Sequence, residues 1–144
     1  MGYTFLPHTA DVLFEVKAKK LDKLFVDAAK ALNAAQVELK TLKAKEKKEI
    51  IVEGNNIEEL LYNFLQELVF VKDVEQMLFK RFDIKIEKKI EEKNGKYRLV
   101  AMCYGDKIQI GKQELLADVK AVTMEEFRVW QERGSWRARV LVDV

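Results

Sequence analysis

The sequence predicts a single α+β domain, with two main helices packed on one face of a mixed, mostly antiparallel sheet. Two stretches repeat apolar residues at helical spacing, and the stretches around them alternate apolar and polar residues as strands do. The order is strands, helix, strands, helix and then a run of strands. At 144 residues the chain suits one domain, 1–144, with one well-buried core. A composition of 49% apolar and 35% charged residues is that of an ordered globular protein.

Residues 3–6 read as a short strand ended by Pro7. Across 11–17, Val12, Phe14 and Val16 fall on one face and Asp11, Leu13, Glu15 and Lys17 on the other. Leu21, Leu24, Phe25, Ala28, Ala29 and Leu32 then mark an amphipathic helix to about Ala35, with Asp22 well placed in its first turn. Residues 37–41 and 49–52 read as strands flanking a Lys-rich connection at 43–48. Asn56 caps a second helix, with Glu59 three residues on. Ile57, Leu60, Leu61, Phe64, Leu65 and Leu68 are its stripe, which reaches Val71, and residues 74–80 read as a further helical turn or two. Residues 82–93 form a strand leading to Asn94-Gly95, a hairpin signal that favours a two-residue type I′ turn. That turn pairs Lys93 with Lys96, Ile90 with Leu99 and Ile86 with Cys103. Residues 105–111 read as a loop, and 117–144 as two strands joined at Gly134-Ser135. Parallel neighbours are allowed among the early strands.

The formal net charge is only +2. A chain that grips a nucleic-acid backbone by itself usually has a clear basic excess. One cysteine, Cys103, excludes an internal disulfide and a multi-cysteine zinc site, and one histidine, His8, excludes a two-histidine centre within the chain. The N-terminus lacks a basic segment followed by an apolar one, so no signal peptide is read there. The apolar run 60–71 is broken by Asn63, Gln66 and Glu67 and is too short to span a bilayer. A cytoplasmic protein with no membrane association is expected.

The chain closes on Val140-Leu141-Val142-Asp143-Val144, an apolar strand in which the Asp143 side chain and the Val144 terminal carboxylate lie within one residue of each other. Asp11 begins an early strand. If the fold brings the three together, they supply anionic oxygen donors for a hard cation such as calcium. The plainer reading is a solvated strand-end acid, or an ion pair of Asp143 with nearby Arg137 or Arg139. His8 between Pro7 and Thr9 reads as a loop residue, with no Ser or Cys nucleophile arranged around it. Cys103, inside a strand, reads as an inert small hydrophobe. Lys120, on a strand beside apolar residues, is either an ordinary exposed lysine or one that contacts a phosphate or a partner. The charge runs 43–48 and 85–89 read as solvated faces.

His8-Thr9-Ala10-Asp11 near the start, with Val119-Lys120-Ala121-Val122-Thr123, Gly134-Ser135-Trp136 and Val142-Asp143-Val144 at the end, resembles the archease family. Residues 21–32 are similar to the family's first helix. Residues 57–69, with Glu59-Leu60-Leu61 and Glu67-Leu68, are similar to its second, so the resemblance spans essentially the whole chain. It implies a small cytoplasmic protein that assists the RtcB-type tRNA-splicing ligase and is not itself an enzyme. Such a protein promotes guanylylation of the ligase, the GTP-dependent step that charges the ligase's active-site histidine. It thereby allows multiple turnover in tRNA splicing, and it can widen nucleotide (NTP) specificity. The resemblance also implies a calcium site at Asp11, Asp143 and the Val144 carboxylate, with RNA reached only through the ligase. His8, Lys120 and Asp118 are the candidate partner contacts. The chain departs from the family pattern at Met124-Glu125, where Tyr-His is typical, at Asp118, where Glu is usual, and across 106–113, which lacks a His.

Two readings from other classes stay open on the residues. A metal-dependent hydrolase or nuclease would use the acid cluster to activate water. An RNA-binding chaperone module would bind RNA without the ligase and with strong salt dependence.

Overall fold

The computed structural model describes residues 2–8, 10–89 and 96–144. Its elements are β1 (Gly2–Leu6), β2 (Val12–Ala18), α1 (Leu21–Ala34), β3 (Glu46–Gly54), α2 (Ile57–Glu75), β4 (Met77–Lys89), β5 (Lys96–Lys107), β6 (Ala121–Val122), β7 (Arg128–Glu132) and β8 (Ser135–Asp143). The strands form two sheets. One has five strands in the order β1-β2-β8-β6, with β7 also paired to β8; the other has three in the order β3-β5-β4. Every pair of these strands is antiparallel, so the early parallel neighbours allowed from sequence do not occur among them. Helix α1 lies against β1, β2 and β8 and also against β4, while α2 lies against β3, β5 and β6. Both helices therefore touch both sheets. One continuous cluster, including Phe14, Phe25, Phe64, Phe79 and Val140, fills the space between. No helix among the described residues is long and apolar enough to cross a membrane.

The apolar stripes account for the helices. Leu24, Phe25, Ala28, Ala29 and Leu32 of α1 and Leu60, Leu61, Phe64, Leu65 and Leu68 of α2 are all buried. At the start of α2, Asn56 Oδ1 accepts from the Glu59 backbone N–H at 2.8 Å, as the capping pattern predicts. Helix α1 starts with no side-chain cap at Lys20.

Several local expectations are corrected. Residues 37–41 are not a strand: Val37 makes one isolated bridge to Leu115, and Leu39–Thr41 is a 3₁₀ turn. Strand β3 begins at Glu46, inside the predicted Lys-rich connection, and ends at Gly54. No helix continues across 74–80, because Gln76 adopts a left-handed φ of 54° that stops α2. Strand β4 then starts at Met77, where Met77, Leu78 and Phe79 are buried.

Strand β5 runs through Gly105 to Lys107, so residues 105–107 are not loop. Its register against β4 pairs Lys89 with Lys96, Ile86 with Leu99 and Phe82 with Cys103. That is four residues away from the register a two-residue Asn94-Gly95 turn demands, and Ile90, Asn94 and Gly95 lie outside the described residues. An even shift keeps the same side chains facing the core, so the apolar pattern by itself could not tell the two registers apart.

The closing stretch holds three strands, not two. The β7–β8 turn is Arg133-Gly134, with φ of 51° and 76°, and Ser135 already pairs with Glu132. Two consecutive positive φ angles give the type I′ geometry that suits the twist of a hairpin.

Candidate functional site: the acidic end of the five-stranded sheet

The β2–β8 register decides where the predicted acids lie. Its last pair is Val12 with Val142. Asp11 precedes the first and Asp143 follows the second, so the two acids flank the same end of the same strand pair although 132 positions of sequence order separate Asp11 from Asp143. Strand β6 closes this end from the other side: Ala121 pairs with Asp143, and the Lys120 N–H donates to the Asp143 carbonyl at 2.7 Å. Val144 follows, its side chain half-buried against the main core. Asp143 is exposed and Asp11 half-buried. Among the described residues neither carboxylate has a hydrogen bond or ion pair. The plain alternative for Asp143, a bridge to Arg137 or Arg139, is not the arrangement found. Arg139 pairs with Glu15 at 2.8 Å, and Arg137 lies 3.2 Å from Glu132.

Three polar side chains that the sequence reading passed over build this end. The extended segment 116–122 is pinned to the turn that follows α1 and to α2. Gln36 accepts from the Val119 N–H at 3.3 Å, and Gln66 accepts from the Val122 N–H at 2.9 Å. Lys72, only 5% exposed, donates to the Val119 carbonyl at 2.6 Å and pairs with Asp118 and with Asp73 at 2.9 Å. A buried ammonium held by two carboxylates and a carbonyl is a strong tie, since its charge is compensated on every side. The sequence signal was present: Gln36, Gln66 and Lys72 are polar residues at or beside the apolar stripes. What each one bonds to is a tertiary fact.

The tie yields a prediction. Lys72→Met removes the donor to Val119 while Asp118 and Asp73 rehydrate at the surface, so a loss of about 1–2 kcal/mol is expected. The urea midpoint checks it, and a midpoint equal to wild type would mean that the lysine only fills space.

The predicted partner-contact residues fall around the same end. Lys120 precedes β6 and is exposed, not within a longer strand. The Asp118 side chain is 74% exposed and is already engaged by Lys72. His8 Nε2 lies 3.8 Å from Glu126 Oε2, and Glu126 Oε1 lies 3.6 Å from Arg139, so Glu126 stands between the β1–β2 connection and β8. Thr9 lies outside the described residues. His8 and Asp11 line one groove of about 400 Å³ with Phe5, Leu6, Pro7 and Leu116, in which Phe5 and Leu116 are exposed. Cys103 is fully buried, and burial pushes its thiol up to about 12, so it carries no thiolate near neutral pH.

The model of the Archease protein family matches residues 3–144. The chain belongs to the archease family. An archease of Pyrococcus abyssi is 37% identical over 138 residues, covering 95% of this chain and 94% of that one. An archease of Methanopyrus kandleri is 36% identical over 144 residues, covering 100% of both. The solution structure of Methanobacterium thermoautotrophicum protein 1598 superposes with a TM-score of 0.86 at 31% identity, covering 99% of each chain. A Thermotoga maritima archease, described as a possible chaperone, shares the fold with a TM-score of 0.61 at 15% identity over 96% of this chain and 94% of that one. The α+β archease fold expected from the end motifs is thus the fold found.

Proposed function

We propose that the chain is a non-catalytic activator of an RtcB-type tRNA-splicing ligase, promoting its guanylylation, and that it binds calcium through Asp11, Asp143 and the carboxylate of Val144. The observation that carries the cation site is the β2–β8 register, which sets two unpaired carboxylates at one strand end. The donor set fits a hard cation, because every donor is an oxygen and no thiolate or second histidine competes. Among the described residues no three His, Cys, Asp or Glu side chains gather for a metal. The third donor of the proposed site is the Val144 carboxylate. When bound, the ion would neutralise the facing acids and present open coordination positions to a partner's phosphates. Around it, the Phe5 and Leu116 groove, His8 and Lys120 offer an apolar and polar rim for docking.

The test is ligase guanylylation with GTP, with and without this protein. A several-fold rise in the charged ligase is expected, along with no turnover of RNA or nucleotide by the protein alone. Adding a short tail after Val144 should remove the stimulation, whereas an N-terminal tag should not. No stimulation of the cognate ligase by the wild type would overturn the assignment. Loss on tailing separates the role of the Val144 carboxylate from that of its apolar side chain.

A further inference from the structure

The sheet face that carries the two acids at one end carries cations and an indole at the other. On the β2–β8–β7 surface turned away from the core, Lys17 pairs across to Arg137 and Arg137 to Trp130. In the next row Glu15 pairs to Arg139 and Arg139 to Arg128. Side chains opposite each other in antiparallel strands share a face, so these residues form one contiguous patch. It holds Lys17, Arg128, Arg137 and Arg139 against Glu15, Glu132 and, 3.6 Å from Arg139, Glu126. A concavity of about 300 Å³, lined by Lys17, Arg137, Trp130, Glu15 and Thr4 among others, opens in it.

We propose that this concavity is a subsite for one nucleotide unit, with the base stacked on Trp130 and its phosphate held by Lys17 and Arg137. Four observations carry it. Lys17 is exposed and has no hydrogen bond or ion pair among the described residues. Arg137 makes no hydrogen bond among them either. Its Nε is shut off from solvent without an aligned acceptor, although the Glu132 carboxylate is 3.2 Å away. The Arg128 guanidinium lies over the Trp130 ring at 4.4 Å, and the same indole lines the concavity. Beside the concavity the Glu132 carboxylate lies 3.4 Å from the indole N–H and 3.2 Å from Arg137, so these two groups already hold one anion. Glu15 lines the concavity, but its charge is taken up by two 2.8 Å contacts from Arg139. The volume is at the small end of ligand pockets, which run from about 300 to 1,000 Å³, and so suits one nucleotide and not a duplex. The unit can come from a free nucleotide or from the end of a single strand, because both present a base beside a phosphate.

The site is read on the protein alone and does not depend on the ligase or on the cation site. Binding of guanosine, inorganic phosphate, GMP and a 5′-phosphorylated tetraribonucleotide is measured by calorimetry with the intact protein. GMP is expected to bind at least about tenfold more tightly than guanosine or phosphate, and Trp130→Leu and Lys17→Gln each to weaken it about tenfold. Glu132→Gln is expected to tighten GMP several-fold by removing the competing carboxylate, a gain that a damaged fold cannot produce. A tetranucleotide bound more tightly than GMP identifies a strand end as the source, and equal affinities a free nucleotide. GMP binding no better than phosphate, or unchanged by Lys17→Gln and Trp130→Leu, overturns the proposal.

Discussion

Asp143→Ala is expected to abolish calcium-dependent stabilisation and ligase stimulation while leaving the calcium-free protein as stable as wild type, or slightly more so. The asymmetry follows from the geometry. Asp143 is exposed, its side chain has no bond among the described residues, and it shares a strand end with Asp11. Without a cation its removal costs no contact and relieves like-charge repulsion. With one, it removes a principal donor. A ligand at one hundred times its Kd stabilises the folded state by about 2.7 kcal/mol, and that whole increment should vanish. Thermal melts with calcium and with a chelator measure it, and guanylylation of the ligase should fall to its unassisted level. Asp11→Ala should behave alike. If either variant instead melts markedly lower in chelator, the acid is a structural element and the cation reading fails.

Gly105→Ala should have the largest effect on stability away from that site. A Cβ at Gly105 would lie 1.9 Å from the Leu78 carbonyl oxygen and 2.7 Å from Phe79 Cα. Both are backbone atoms at the point where the β4–β5 register shifts between Phe79 and Arg81. No rotamer change can relieve that clash, so the strands must separate beside Phe79 and Phe82, which stack edge to face in the core at 6.2 Å. A loss of about 3 kcal/mol or more is expected, measured by urea unfolding and accompanied by a lower soluble yield. Near wild-type stability would mean that β4 and β5 are not packed this closely.

The same glycine shows where sequence reading stops. Gly105 read as the start of a loop over 105–111. It is in fact a strand residue whose missing side chain permits close backbone approach. Asn94-Gly95 misled in a related way, since the period-2 pattern is satisfied equally by registers four residues apart. Gln76 ended α2 through a left-handed φ that no composition rule marks at a glutamine. The helices were legible because a 3.6-residue stripe of large apolar side chains has few alternative uses. The Asn56 cap was legible because its partner lies only three residues away.

At the candidate site the division is similar. The residue types were readable in one dimension: two acids beside strands, a closing Asp-Val pair and motifs at both ends that resemble one family. Their meeting was not, because it depends on a register between strands at opposite ends of the chain. Nor were the ties from Gln36, Gln66 and Lys72, or the row that sets Lys17, Arg137 and Trp130 side by side, since each contact joins residues that local spacing cannot relate. The sequence by itself determined the two helices, most of the strands and which chemistry is available, through side-chain period and type. Only the tertiary structure decided which of those groups share a strand end or a sheet face, because long-range pairing is set by how the whole core closes.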